Sequence, residues 1–185
     1  GTGRPILQIR QREALFTPLH APSDAPTEPA KPTPVAGGNS ALEKQVAELM
    51  KHTMTSYGFD EVNIDKYGSV LGMIHGSRPG RTILMDGHID TVDVIDRDQW
   101  THDPFAAEIE DGKIYGRGTS DMKGSVCAMI TAAAQYAEDT GKDFAGTICV
   151  SCTVHEECFE GVSSREISRN AKPDFVIIGE ATTTT

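Results

Sequence analysis

The sequence lacks an apolar run that could cross a membrane, and its first residues lack the order that is typical of a secretory signal. No stretch of its 185 residues reaches the roughly 18 consecutive apolar residues that mark a transmembrane candidate. The N-terminus does not show the basic residues followed by an apolar core that a secretory signal requires. We therefore expect a protein that neither spans nor is targeted to a membrane, with the cytoplasm as the default location.

Cysteine is scarce, and the placement of its four residues argues against a disulfide framework. Cys127, Cys149, Cys152 and Cys158 lie within predicted helix or strand or beside an acidic pair, which fits reduced thiols. Cys149 and Cys152 form a C-x-x-C pair. However, strand residues three apart point to opposite faces, so the two sulfurs could not readily share a metal. We interpret both as core residues.

Basic residues are outnumbered, with 17 Lys and Arg against 27 Asp and Glu, for a net charge of -10. The first 40 residues carry four Lys or Arg against three Asp or Glu, or +1, so the remainder carries -11. Such an acidic chain is not expected to bind nucleic acid, because the phosphate backbone requires cationic contacts. Length and apolar content are typical of one globular domain.

Proline divides the chain into two parts. Residues 1–40 hold seven of the ten prolines. Within them the segment HAPSDAPTEPAKPTPVAGGNS shows almost no aliphatic periodicity, so it cannot bury enough apolar surface to become ordered. We predict a disordered, proline-rich tail over residues 1–40. Residues 41–185 are predicted to be the ordered part of the chain.

The second part alternates helical and strand-like patterns. Ser40 and Glu43 form a capping box for a first helix that ends near Gly58. The following elements are predicted in order: a hairpin that turns at Tyr67-Gly68, a buried strand TILM, a helix from Asp121 to Gly141, a strand GTICVSCTV, a short helix near SSREISRN, and a strand DFVIIGE. This alternation predicts an α/β fold with a parallel or mixed sheet flanked by helices.

Metal-ligand residue types follow several of these elements. His88 and Asp90 close the run TILMDGHID, Asp121 lies in the glycine-rich GRGTSDMKG, and Glu180 ends DFVIIGE. Ligands in open α/β sheets bind beyond the carboxyl ends of the strands, so these residues can converge. Imidazole nitrogen and carboxylate oxygens suit Zn²⁺, with Co²⁺ or Mn²⁺ as substitutes.

Each of these residues also has a plainer interpretation. Asp121 could simply cap the next helix, and Glu156-Glu157 could be a solvated strand end. On an extended backbone, however, the two glutamates face opposite ways, so that one can bind metal while the other reaches toward a water molecule. Glu180 would be costly to leave half-buried without a cation.

Five motifs in order carry a family resemblance: HIDTV, the W-x-x-D-P-F of residues 100–105, DGKIYGRGTSDMKG, HEE and PDFVIIGEAT. Over residues 41–182 the chain resembles the co-catalytic zinc peptidases and amidohydrolases, which include carboxypeptidase G, aminoacylase, acetylornithine deacetylase and succinyl-diaminopimelate desuccinylase. The branch that it most resembles is the YgeY-type hydrolases linked to selenium metabolism.

This resemblance implies a dinuclear zinc site that hydrolyses amide bonds in peptides or N-acyl amino acids. His88 and Glu180 would bind one zinc, Asp121 would bridge both, and Glu157 would bind the other. Asp90 would orient His88, and Glu156 would be the general base that moves the proton of an activated water. The family also implies a cis peptide bond after the bridging aspartate, between Asp121 and Met122.

The resemblance is incomplete at the C-terminus. Family members continue past the GEAT strand into a lid and dimerisation domain, and then into a last segment with one more metal-binding His. The resemblance therefore implies that residues 41–185 are the N-terminal part of a metallohydrolase catalytic domain. We expect a truncated member without the lid domain on which the family's homodimer depends. The alternative function is a catalytically inactive metal-binding fragment or an interaction module.

Three further residues lie beside the motifs. Arg117 and Lys123 flank the Asp121 turn and could contact a substrate carboxylate, although structural ion pairing is the favoured role for each. His155 precedes the glutamate pair, but strand alternation turns it away from Glu156, so we interpret it as a supporting or core residue.

Overall fold

The computed structural model describes residues 41–158 and 161–182. Three helices are formed: α1 (Ala41–Ser56), α2 (Gly124–Thr140) and α3 (Val162–Ala171). The strands are β1 (Glu61–Ile64), β2 (Val70–His75), β3 (Arg78–His88), β4 (Glu108–Glu110), β5 (Lys113–Tyr115), β6 (Ala145–Thr153) and β7 (Phe175–Ile178). The predicted tail and the capping residue Ser40 lie outside the described residues.

Five strands form one mixed sheet in the order β1-β2-β6-β3-β7. β3 runs parallel to β6 on one side and to β7 on the other, whereas β1 and β2 are antiparallel additions at the far edge. The chain thus leaves β3 for β6 and then crosses to the opposite side of β3 for β7. This reversal of strand order is where α/β sheets place their ligands. The predicted α/β class is confirmed, with the sheet mixed.

The two faces of the sheet are covered by different helices. Val150 and Cys152 of β6 belong to the same buried cluster as residues of α1 and α2, including Met50, Met54 and Ile130. Cys149 belongs to a second cluster with Leu84 and with Ile167 of α3. The prediction that Cys149 and Cys152 face opposite sides of a strand, and act as core residues, is therefore confirmed.

Local turn chemistry fixes the predicted hairpin. The carboxylate of Asp65 accepts the backbone N–H groups of Tyr67 and Ser69, at 2.8 and 3.0 Å, and Gly68 takes a positive φ of 100°. Such a side-chain to backbone pattern is the mechanism by which aspartate nucleates turns. The turn lies where the sequence places it.

One helix begins later than the sequence predicts. The helix predicted from Asp121 starts at Gly124, because Asp121 and Met122 have non-helical backbone angles (φ -125°, ψ 96° and φ -135°, ψ 28°). Residues 119–123 instead form a single wide turn. The apolar spacing in the sequence predicts the helix itself. It does not show that the backbone just before Gly124 is non-helical.

The strand β7 is more exposed than its apolar sequence suggests. All four of its residues are exposed, and Ile83 of the neighbouring β3 is exposed as well. The prediction that TILM forms a wholly buried strand is therefore wrong, since only Leu84 in that run is fully buried. Among the described residues, no helix is long and apolar enough to cross a membrane.

Candidate metal centre

The candidate centre lies at the carboxyl ends of β3, β6 and β7. His88 is the last residue of β3 and is in register with Thr153, the last residue of β6. The backbone N–H of Gly179, just past β7, donates to the carbonyl oxygen of Asp86 on β3 at 3.0 Å. These hydrogen bonds bring the residues that follow the three strands to one edge of the sheet.

His88 is the buried centre of the group, with 1% of its surface exposed. Its Nδ1 lies 3.0 Å from the backbone carbonyl oxygen of Asp90 and 3.5 Å from the Asp90 carboxylate. A carbonyl oxygen can only accept, so Nδ1 carries a proton and donates it. Nε2 is thereby aimed at the acidic cluster, which is how metal-binding histidines are commonly oriented.

Carboxylates from three separate segments surround His88 Nε2. Asp121 Oδ1 lies at 2.9 Å, Glu180 Oε2 at 3.6 Å and Glu156 Oε2 at 3.9 Å. One ligand atom each of His88, Asp121 and Glu157 lie within 4.8 Å of one another. The structure therefore brings together all the residues that the sequence singled out, although their roles as ligands stay predictions.

The Asp121 carboxylate is positioned by the glycine-rich loop. Gly118 has a left-handed conformation with φ 80°, and the peptide bond between Asp121 and Met122 is cis, as the resemblance implies. The backbone of Asp121 is extended, and α2 is preceded by Lys123, whose side chain makes no capping hydrogen bond. The alternative interpretation of Asp121 as a simple helix cap is therefore wrong.

The Glu156-Glu157 pair lies in a turn and not on a strand. β6 ends at Thr153, and His155 takes a positive φ of 66° before the turn that begins at Glu156. The expectation that the pair alternates on an extended backbone is wrong for this reason. His155 is buried, with 7% of its surface exposed, in keeping with its interpretation as a supporting or core residue.

Asp90 has a second contact that sequence reasoning missed. Its Oδ2 accepts the backbone N–H of Glu157 at 3.1 Å, while its Oδ1 faces His88. One buried carboxylate therefore joins the end of β3 to the glutamate turn. The signal in the sequence was only the H-x-D spacing, which gives no indication of a partner 67 positions away.

Glu180 follows the end of β7 and is about half-buried, in keeping with the expectation from the sequence. Its side chain is 40% exposed, and its Oε1 accepts the backbone N–H of Ala181 at 3.0 Å. Its Oε2 points toward His88.

A family profile for "Peptidase family M20/M25/M40" matches residues 84–185, more than half of the chain. The chain belongs to this family. The M20 match begins on β3 and includes all six predicted site residues. The predicted resemblance to zinc peptidases and amidohydrolases is thus confirmed at the level of the family.

The M20 chain is similar to proteins of known name and structure. It is 38% identical over 146 residues to the uncharacterized protein YgeY of Escherichia coli (strain K12), covering 77% of this chain and 35% of that protein. It is 34% identical over 147 residues to succinyl-diaminopimelate desuccinylase 2 of Ruegeria sp. (strain TM1040), covering 76% and 37%. The M20 metallo-carboxypeptidase Sso-CP2 of Sulfolobus solfataricus superposes with a TM-score of 0.65 at 26% identity, covering 76% and 33%.

The chain thus spans about a third of the length of the curated relatives that it matches. The shared part is the portion that carries the candidate centre.

The ionisable groups of this M20 centre shift one another's pKa values. Burial disfavours the charged imidazole of His88, but hydrogen bonds and charges from Asp90 and Asp121 outweigh it and raise the pKa to about 9. Burial likewise opposes ionisation of Asp90, yet contacts with His88 and with the backbone of Glu157 lower its pKa. Burial and the charge of Asp121 raise the pKa of Glu157. Several carboxylates around one imidazole repel one another, and a bound cation would reduce this repulsion.

The donor set fits zinc. One imidazole nitrogen and carboxylate oxygens are borderline and hard ligands of the kind that catalytic zinc sites use, and no thiolate takes part. The hydrogen bond from Nδ1 to the Asp90 carbonyl oxygen leaves Nε2 as the ligand atom of His88. Any metal bound there would displace the proton that Nε2 now shares with Asp121.

Proposed function

We propose that this chain carries the metal centre of a hydrolase that cleaves amide bonds in peptides or N-acyl amino acids. The main observation in favour is that carboxylate oxygens of Asp121, Glu156 and Glu180 all lie within 3.9 Å of His88 Nε2. Membership of the M20/M25/M40 family supports the reaction class. The names of its relatives, a desuccinylase and a metallo-carboxypeptidase, both describe amide-bond hydrolysis.

The proposed metal ligands are His88, Asp121, Glu157 and Glu180. His88 and Glu180 would hold one zinc, Glu157 a second, and Asp121 would bridge them. The 3.6 Å separation between Glu180 and His88 Nε2, and the grouping of Asp121 with Glu157, support this division. Zinc held there would polarise the scissile carbonyl group and make water a better nucleophile at neutral pH.

Glu156 is the proposed general base. Its carboxylate is partly exposed, with 44% of the side chain accessible, and it faces the cluster from the open side. It would accept a proton from the attacking water and deliver that proton to the leaving amine nitrogen. Asp90 would hold the imidazole of His88 and, through the backbone N–H of Glu157, the turn that carries the base.

The direct test measures zinc on the chelator-stripped and reconstituted chain, by elemental analysis combined with calorimetric titration. We expect zinc to bind the wild-type chain and to be lost in His88→Ala. His52→Ala provides the control, because His52 is an exposed residue of α1 outside the cluster. Equal zinc binding by the two variants would remove the basis of the proposal.

A second measurement separates the hydrolase from a silent metal-binding module. Hydrolysis of N-acetyl amino acids is followed with and without added Zn²⁺ or Co²⁺. Turnover that depends on the metal and on His88 would establish the enzyme. Zinc binding without turnover would favour the module.

A further inference from the structure

The glutamate turn has a second buried support, which lies on the other side of β6 from Asp90. Ser69 directly precedes β2 and has 0% of its surface exposed. Its Oγ accepts the backbone N–H of Val154 at 3.3 Å. Val154 follows the end of β6 and comes two residues before Glu156. A side chain 85 positions earlier in the chain therefore contacts the segment that leads into the turn.

The backbone ladder between β2 and β6 does not supply this contact. Its last pair is Val70 with Cys152. The carbonyl oxygen of Ser69 is engaged within the hairpin, where it accepts the backbone N–H of Asp65 at 2.8 Å. The hydroxyl of Ser69 is thus the acceptor for Val154. Such an acceptor matters because a buried N–H group without one is costly.

Ser69 is itself fixed by the turn of the hairpin. The carboxylate oxygen Oδ1 of Asp65 accepts the backbone N–H of Ser69 at 3.0 Å and that of Tyr67 at 2.8 Å. Side-chain to backbone hydrogen bonds of this kind hold a turn in one conformation. The hydroxyl is therefore presented to Val154 from a turn whose backbone is well defined.

The segment that begins at Val154 and ends at Glu157 contains an uncommon backbone conformation. His155 takes a positive φ of 66°, which few residues other than glycine adopt. Conformations of this kind persist where the surrounding structure holds them. Ser69 binds the N–H group at the start of the segment, and Asp90 binds the N–H group at its end. The segment is thus held from both sides of β6.

We infer that Ser69 is a positioning residue for the glutamate turn and acts through the backbone of Val154. This inference rests on the proposed function, in which the turn carries the general base Glu156 and the metal ligand Glu157. Loss of the hydroxyl would remove the acceptor of Val154 and loosen the start of the turn, while the support from Asp90 remains. The two glutamates would then hold the zinc-binding arrangement less firmly, as happens when groups that orient metal ligands are removed.

The test compares two buried serines whose hydroxyl groups differ in their contacts. Ser163 of α3 is 3% exposed, and within the part of the chain that the structure describes its Oγ has no hydrogen-bond partner. Ser163→Ala is therefore the matched control for Ser69→Ala. Both variants are made in the full chain, and circular dichroism checks that each is folded.

Amide hydrogen exchange, followed by NMR, reports on the turn without any metal. We expect Ser69→Ala to speed exchange at Val154 and at Glu157 by about fivefold or more, as the loss of one hydrogen bond predicts. The amide of Val150, in the middle of β6, should change less. In Ser163→Ala the three rates should stay close to those of the wild type.

Zinc affinity reports on the metal centre itself. Competition with a chromophoric chelator should show that Ser69→Ala binds zinc about fivefold more weakly than the wild type. Ser163→Ala should bind zinc as the wild type does. A role for Ser69 in the stability of the hairpin alone would lower the free energy of unfolding and leave the zinc affinity of the folded chain unchanged.

The inference fails if the two alanine variants behave alike, if exchange at Val150 accelerates as much as at Val154, or if Glu157 is unaffected. It also fails if Ser69→Ala binds zinc as tightly as the wild type. Failure of the proposed function gives a different result, because the wild-type chain would then bind no zinc. In that case the exchange rates alone decide whether Ser69 positions the turn.

Discussion

At the scale of single residues, Asp90 joins two parts of the site that are distant in sequence. It faces His88 with one carboxylate oxygen and accepts the backbone N–H of Glu157 with the other. Its Oδ1 lies 3.5 Å from His88 Nδ1 and accepts no hydrogen bond among the described residues, so Asp90 supports the imidazole by its charge and the glutamate turn by a hydrogen bond. The residue that the H-x-D motif marks as a support for His88 therefore also positions the glutamate turn.

Substitutions can separate the proposed role of Glu156 as general base from that of Asp121 as metal ligand. We expect Glu156→Gln to abolish turnover and to leave zinc binding nearly unchanged, because the proposed base is not a ligand. Asp121→Asn should lower zinc affinity by more than about tenfold, since even indirect partners of metal ligands contribute 10–100-fold. Competition with a chromophoric chelator measures both affinities.

Equal loss of zinc in the Glu156 and Asp121 variants would contradict the assignment of Glu156 as the base. Activity would be compared in a full-length relative that carries the same motifs.

The thiols should differ sharply in reactivity. Burial raises the pKa of Cys149 to about 11 and raises that of Cys152 further, so at pH 8 both carry less thiolate than an ordinary cysteine. Cys158 is exposed. We expect a maleimide reagent at that pH to label Cys158 well before Cys149 or Cys152, as followed by peptide mass spectrometry. In denaturant the difference should vanish. Rapid labelling of Cys152 in the native protein would contradict its place in the core.

At the scale of the elements, the parallel pair β3 and β6 depends on a close backbone approach at its start. Gly146 takes a positive φ of 95°, and a Cβ there would collide with the carbonyl oxygen of Arg81. We expect Gly146→Ala to lower the free energy of unfolding by more than about 1 kcal/mol, through both strain and the collision.

Gly112→Ala is the matched control for Gly146→Ala. Gly112 also has a positive φ, 75°, but a Cβ there meets nothing within 4 Å. Denaturant unfolding of both variants therefore separates the cost of the backbone conformation from that of the collision. A loss at Gly146 no larger than that at Gly112 would show that the strands can move apart.

The elements were largely predictable because their apolar spacing is strong. The first helix, the hairpin and the strands β6 and β7 all appear where periodicity and turn residues place them. The errors fall where the backbone departs from regular geometry. The turn at Asp121 and the positive φ of His155 both lie at the candidate site, where local patterns are expected to fail.

The candidate site was predictable for a related reason. Each ligand type follows an apolar run, and an α/β sheet collects such ends at one edge. The distances between side chains could not be predicted, nor could the bond between Asp90 and Glu157. These depend on how β6 and β3 are aligned in register, with His88 opposite Thr153.

At the scale of the whole molecule, β7 presents an apolar edge. Phe175, Val176, Ile177 and Ile178 are about half-exposed or more, and among the described strands β7 pairs only with β3. An exposed apolar edge strand is a template for pairing with another chain. We therefore expect the chain by itself to associate as its concentration rises, as sedimentation velocity would detect.

Val176→Lys should reduce this association, because a charge on an edge strand disfavours pairing between chains. Ala132→Lys adds the same charge on an exposed position of α2 and should leave association unchanged. An equal effect of both variants would point to net charge in place of the edge of β7.

The spread of the site along the chain has a consequence for the order of events during biosynthesis. His88 and Glu180 lie about ninety positions apart, and proteins are synthesised from the N-terminus at roughly 5–20 residues per second. The ribosome therefore adds the last proposed ligand between roughly 5 and 20 seconds after the first. During that interval β3 cannot pair with β7. It can pair with β6 only after residues 145–153 have emerged. The complete set of proposed ligands would therefore be available to a metal only after the β7 segment has been synthesised.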